Sequence, residues 1–153
     1  GGDYREQPRQ ALRTASDLLL IAGSAPRMQQ STLPTRDQAD QRVAEYTRES
    51  LAALDANDLL YQVSASRDYD PSARLEAIGV PVMWVNSADD FINPPELGIA
   101  EVAVKRIRHG SFVLLPISDQ THGHGTHTWA AAWKPYLVRL LEESATPGSD
   151  AGH

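Results

Sequence analysis

From residue 10 the apolar side chains recur at three- and four-residue steps. Leu12, Ala15, Leu19 and Ala22 share one face, which predicts a helix over residues 10–22, and Gly23 supplies its stop. Residues 24–34 are polar and carry Pro26 and Pro34, the composition of a loop. Thr35-Arg36-Asp37-Gln38 then reads as a capping box, since Thr35 can accept from the Gln38 amide while the Gln38 side chain reaches back. The helix it opens is expected to run to about Asp55. Its stripe of Ala39, Val43, Tyr46 or Thr47, Ser50 and Leu54 is mixed, as suits a partly exposed helix. A further helical stretch, Asp58–Ser66, carries Leu59, Leu60, Tyr61 and Val63. Asp70-Pro71-Ser72 is a turn, with Pro71 at the first position of a short helix that ends at Ile78 and Gly79.

The pattern changes at residue 80. Val80-Pro81-Val82-Met83-Trp84-Val85-Asn86 is nearly all apolar, the mark of a strand buried on both faces of a parallel sheet. Residues 95–105 read as helix, and Ser111–Ile117 as a second buried strand. A loop rich in glycine and histidine follows. The last helix is expected from about Thr126 to Ser144, with Pro135 kinking or splitting it. The polar stretch Thr146–His153 is expected to be a disordered tail.

The chain is therefore α/β, a helical first half followed by β-α-β-α. Two parallel strands do not make a covered sheet, which usually takes about four or more. The expectation is that this chain is the carboxyl-terminal part of a larger α/β domain, with the remaining strands upstream or on another chain.

Composition removes several functions. Of 153 residues, 41% are hydrophobic and 22% charged, which excludes disorder of the whole chain. The net charge of −6 and the lack of a Lys/Arg stripe remove the electrostatic basis of nucleic-acid binding. Cysteine is absent, so there is no disulfide framework, thiolate zinc site or cysteine nucleophile. That leaves the compartment open, cytoplasmic or periplasmic. The longest apolar run, Leu18–Ala22, is far below the roughly 20 residues that span a bilayer, so no membrane partner is expected. No charged segment followed by an apolar one opens the chain as a signal peptide would.

The chemistry-bearing residues follow the two strands. In open α/β sheets ligands bind at the carboxyl ends of the strands. The first loop, residues 86–95, holds Asp89 and Asp90; the second, residues 118–127, holds His122, His124 and His127. A carboxylate on one imidazole nitrogen fixes the tautomer and stabilises imidazolium, freeing the other nitrogen to act as a base. Either aspartate could be the acid. His127 stands one helical turn beyond His124 and could face the same way. The bland alternatives are a loop histidine bonded to backbone and a turn-capping carboxylate. Thr121-His122-Gly123-His124-Gly125-Thr126-His127 also approaches the T-H-x-H-x-D-H pattern of zinc hydrolases, but Thr126 replaces the aspartate and only His153 follows as a further ligand. Tyr61, Trp129 and Trp133 could line a pocket, although aromatics at helical spacing are more often core.

These residues resemble a known family. Asp90-Phe91-Ile92-Asn93-Pro94-Pro95 after a strand is similar to the acid loop of α/β-hydrolase-fold enzymes of the homoserine O-acetyltransferase-like group. Gly123-His124-Gly125 stands where that family has its Gly-His pair. Leu54–Tyr61 followed by Arg67-Asp68-Tyr69-Asp70 resembles the end of its helical lid. The resemblance covers roughly residues 1–144. It implies a helical lid over residues 1–78, the last two strands of the hydrolase core over 79–144, and a tail over 145–153. It also implies a Ser-Asp-His triad in which Asp90 is the acid and His124 the base, with Tyr61 facing substrate.

Triad order in this fold puts the serine upstream. No G-x-S-x-G occurs: Gly23-Ser24, Gly110-Ser111 and Gly148-Ser149 each lack the second glycine. The resemblance thus implies that a serine-dependent ester hydrolase or O-acyltransferase draws its nucleophile and oxyanion hole from an amino-terminal part or a companion chain. Substrate would be a small acyl ester, with acetyl-CoA as donor if the reaction is a transfer, no metal or organic cofactor, and a homodimer left open. Homoserine-acylating members carry an acidic residue after the histidine; Gly125 stands there, which tilts the reading toward ester hydrolysis or another alcohol. The reading of another class is a non-catalytic module whose exposed sheet edge docks a partner strand.

Overall fold

The computed structural model describes residues 2–145, so the tail expected at 146–153 lies outside the described residues. The chain is α/β; the described residues form six α-helices and a two-stranded parallel sheet: α1 (Arg9–Ala22), α2 (Pro26–Thr32), α3 (Arg36–Ala53), α4 (Ala56–Ser64), β1 (Val82–Ser87), α5 (Ile99–Ala103), β2 (Gly110–Leu115) and α6 (Ala130–Ala145). It forms two compact units that divide between Asp70 and Pro71. The short 3-10 turn Ser72–Ala77, read from sequence as the end of the helical part, belongs to the second unit. There Arg106 grips Glu76 with two nitrogens, at 2.6 and 2.9 Å, and donates to the Ser72 carbonyl at 2.8 Å.

In the first unit α1 packs on α3. Leu12 and Ser16 of α1 are buried, as are Thr47 and Ser50 of α3. Two of these hydroxyls are satisfied within their own helices: Ser16 donates to the Leu12 carbonyl at 2.9 Å and Thr47 to the Val43 carbonyl at 2.9 Å. That local bonding allows a polar contact stripe without unpaired groups. The capping box forms, with Thr35 accepting from the Gln38 amide and the Gln38 side chain accepting from the Thr35 amide. Residues 24–34, expected as loop, instead contain α2. Pro26 sits at its first turn, where a missing N–H costs nothing, so a residue read as a breaker starts a helix.

In the second unit β1 and β2 pair in register, from Val82 opposite Gly110 to Ser87 opposite Leu115. Trp84 and Phe112 are directly opposed and meet edge to face at 6.4 Å between ring centres. The core is small, formed by Val104, Ile107 and Leu115. The strands expected to be buried on both faces are only half covered, with Trp84 37% and Leu114 39% exposed. The helix expected over 95–105 is broken into a 3-10 turn, α5 and a second 3-10 turn, because Gly98 adopts φ +65°, which ends one turn and begins the next. The last helix starts at Ala130 rather than Thr126, after a 3-10 turn at Gly125–Thr128, and runs on across Pro135 as one element. Among the described residues no helix is long and apolar enough to cross a membrane.

Candidate active site

The ends of the two strands converge at Asp90 and His124. The ladder extends one residue past β1, where the Ala88 amide donates to the Leu115 carbonyl at 2.9 Å. The chain then turns, with the Asp90 amide donating to the Ser87 carbonyl at 3.1 Å. Asp90 Oδ1 accepts from the amides of Ile92 and Asn93, both at 2.9 Å, the local bonding that an aspartate ahead of a turn makes readily. The same carboxylate faces His124 Nδ1, at 3.2 Å from Oδ1 and 3.1 Å from Oδ2. The turn-capping role and the contact with histidine are therefore held by one side chain.

Asp90 is buried, 6% exposed. Burial pushes its carboxyl up, but the Asn93 amide, the His124 imidazole and the Ile92 amide outweigh burial and hold it below the ordinary carboxylate range. An ionised carboxylate only accepts, so Nδ1 carries the proton of a neutral His124. Asn93 Nδ2, 3.4 Å from the same Nδ1, would need the opposite tautomer, and two carboxylate oxygens at shorter range decide against it. Nε2 is then the nitrogen left for a reacting group, on a side chain 32% exposed. The neighbouring Asp89 is not the partner of His124; its Oδ1 is buried without a hydrogen bond.

The base loop is held from inside. Gly123 has φ +58°, and its carbonyl accepts from the Ser87 hydroxyl at 3.0 Å and the Thr126 hydroxyl at 2.7 Å. Thr126 Oγ1 in turn accepts from the His122 amide at 2.9 Å. Thr121, 2% exposed, closes the start of the loop by donating to the Ser118 carbonyl and accepting from its amide. Sequence reasoning missed these hydroxyls. The available signal was a serine at the end of an apolar strand, three residues before the acid.

The other histidines have different surroundings. His122 lies against Trp129, with ring centres 4.5 Å apart. His127 has its ring 4.9 Å from that of His124, and its Nδ1 contacts the His124 carbonyl. Trp133 Nε1 donates to the His127 carbonyl at 3.0 Å. Among the described residues no group of three or more histidine, aspartate or glutamate side chains is arranged to hold a metal ion. A cleft of about 430 Å³ adjoins the pair, walled by Met83 and Val85 of β1 and by Trp133, Tyr136 and Leu140 of α6, with Asp90 and His124 in its lining. That volume falls in the range of small-molecule sites. Tyr61 belongs to the first unit, on α4, where its side chain is 72% exposed.

The arrangement can hold an imidazole in one tautomer beside a largely apolar cleft and take a proton at Nε2. Comparison with known proteins adds no relative: no family model matches the chain, and no curated protein or solved structure is significantly similar to it.

Proposed function

We propose that this chain supplies the acid and the base of a serine-type acyl-transfer site in an α/β-hydrolase-like enzyme, acting on a small acyl ester. The observation that carries the reading is the contact between Asp90 and His124 Nδ1, 3.1 Å, made from loops that follow adjacent parallel strands. In this reading a serine from an upstream segment or a companion chain attacks the ester carbonyl. His124 Nε2 takes its proton, and Asp90 orients the ring and stabilises the imidazolium. The proton then passes to the leaving alkoxide, and water or an alcohol deacylates the enzyme. The oxyanion donors lie with the nucleophile. The test is an intact-mass spectrum of the native material before and after a fluorophosphonate. A labelled species heavier than 16.7 kDa, or a labelled companion chain, is the expected result. A lone unlabelled 16.7 kDa chain overturns the reading.

A second reading rests on the sheet. The cleft is lined by five consecutive residues of β1, Met83 to Ser87. Side chains of a strand alternate between faces, so a consecutive run means that the cleft follows the strand's edge. With β2 on the other edge, that edge of β1 has no partner strand among the described residues. A non-catalytic module would use it to add a strand from a partner. Such a module is expected to stay monodisperse alone and to bind a partner that carries no reactive serine.

A further inference from the structure

The acid and the base come from loops 34 residues apart in sequence, and their meeting needs something to fix the distance between them. Asp90 itself is anchored locally, by the amides of Ile92 and Asn93. No backbone amide holds the His124 ring; its contacts are the Asp90 carboxylate it must face, Asn93 Nδ2 and the His127 ring, 4.9 Å away between centres. What is anchored is the peptide before it. The Gly123 carbonyl receives the Ser87 hydroxyl at 3.0 Å, the Thr126 hydroxyl at 2.7 Å and the Thr126 amide at 3.1 Å. Ser87 and Thr126 are 2% and 5% exposed, so these bonds do not compete with bulk water. Ser87 is also the last residue of β1, and its carbonyl accepts from the Asp90 amide at 3.1 Å. One residue thus touches both loops, the acid loop through its main chain and the base loop through its side chain.

We propose that Ser87 and Thr126 are positioning residues, a pair of buried hydroxyls that clamp the Gly123 carbonyl and so set the His124 ring against Asp90. The clamp rests on the acid–base reading of the pair for its catalytic meaning. Neither hydroxyl touches a reacting atom. Ser87 couples the loops, and Thr126 closes the base loop on itself while satisfying the His122 amide. Bonds of this kind decide how closely a site holds its productive geometry.

The test reads the ring directly. In two-bond nitrogen–proton spectra of the uniformly labelled chain at about pH 8, where a free imidazole is neutral, His124 is expected as the Nδ1–H tautomer. Ser87→Ala and Thr126→Val are each expected to lower the ratio of Nδ1–H to Nε2–H about fivefold or more, the scale of one ordinary hydrogen bond. Thr126→Ser keeps the hydroxyl and is expected to restore the wild-type ratio, an outcome that packing alone would not give. Wild-type ratios in both Ser87→Ala and Thr126→Val overturn the proposal. If either variant loses its folded spectrum, the unmutated chain still decides. The Ser87 hydroxyl proton is expected to exchange slowly enough to be seen, with a cross-relaxation peak to the Gly123 α-protons; its absence overturns the clamp. The catalytic reading fails separately. A clamp that moves the tautomer stands even if native material takes up no fluorophosphonate.

Discussion

His124 Nδ1 lies within 3.2 Å of both carboxylate oxygens of Asp90, although the two residues belong to different loops. The carboxylate is nearly fully buried while the ring is about one-third exposed. That asymmetry suits an orienting group behind a reacting one. If the pair works as acid and base, removing either should depress the chemical step rather than substrate binding. In the nucleophile-bearing protein, Asp90→Asn is expected to lower kcat about 10⁴-fold and His124→Ala at least as much, with KM changed far less. Steady-state ester hydrolysis checks both. Activity of Asp90→Asn within a few-fold of wild type would remove Asp90 from the acid role, and survival of His124→Ala would move the base to His127 or His122.

The same carboxylate makes a pH prediction for stability. Burial raises the Asp90 pKa, and the Asn93 and Ile92 amides with His124 more than reverse this, so its folded value is depressed. A depressed carboxylate contributes stability above its unfolded value, about 3.9. That contribution is lost as pH falls through the folded value. The urea midpoint of the second unit is therefore expected to hold between about pH 7 and 5 and to drop below about pH 4. Glu76, depressed chiefly by Arg106, contributes to the same drop. Asp90→Asn isolates the Asp90 share, because the difference between variant and wild type should shrink toward pH 3. A difference that stays constant with pH would show that the Asp90 charge has no part in it.

The pair was legible in the sequence because strand ends are where an α/β sheet collects its loops, and because only two such ends exist among the described residues. Choosing Asp90 over Asp89 rested on the Pro94-Pro95 context alone. The structure adds the physical reason, two amides waiting for one carboxylate oxygen. The first unit was harder. The capping box at Thr35 and the stop at Gly23 are local signals and came through. The helix α2 did not, since Pro26 is ambiguous between breaking a helix and starting one. The Ser87 clamp showed only as a serine closing an apolar strand; its partner could not have been read, because a hydrogen bond over 36 residues leaves no trace in spacing. Nor could the half-exposed state of β1 and β2, since residue type reports the environment a strand is suited to, not the neighbours it has.

Two glycines flank His124, and they should answer differently to alanine. Gly123 has φ +58°, a left-handed backbone that costs a residue with a Cβ about 1–2 kcal/mol. Its carbonyl is also the point that Ser87 and Thr126 hold. Gly125 has no positive φ, and a Cβ built on it meets only the His122 Cβ at 3.7 Å, ordinary contact. Gly123→Ala is expected to destabilise the second unit by about 1–3 kcal/mol and to disturb the His124 tautomer. Gly125→Ala is expected to stay within about 0.5 kcal/mol of wild type. Denaturant titration of the two variants side by side checks this. Equal losses would mean that the loop is governed by packing around His122 rather than by the left-handed peptide.

In the first unit Asp55 ties the amino-terminal segment to α4. It caps the helix by accepting from the amides of Asn57 at 2.8 Å and Asp58 at 3.2 Å. It also accepts from the Tyr4 hydroxyl at 2.9 Å and from the Gln7 side-chain amide. The Tyr4 hydroxyl bond, with the helix amides and Gln7, holds the Asp55 carboxyl below its ordinary range despite desolvation. Desolvation and the Asp55 bond push the Tyr4 phenol up. The signs are opposite, so the tether has two limits. The Asp55 share is present above about pH 4 and is lost as pH falls through the depressed value. The Tyr4 share is present below about pH 10 and is lost as pH rises through the raised one. Asp55→Ala is expected to speed hydrogen exchange at the Asn57 and Asp58 amides about tenfold, the effect of a lost N-cap. Tyr4→Phe removes the donor to Asp55 and a long acceptor of the Asn57 amide, at 3.3 Å, but leaves the shorter cap bonds of Asp55, so it should free residues 2–7 to proteolysis while those amides keep most of their protection. If Tyr4→Phe speeds exchange as much as Asp55→Ala, the cap depends on the tether rather than the reverse, and the carboxylate alone does not hold the start of α4.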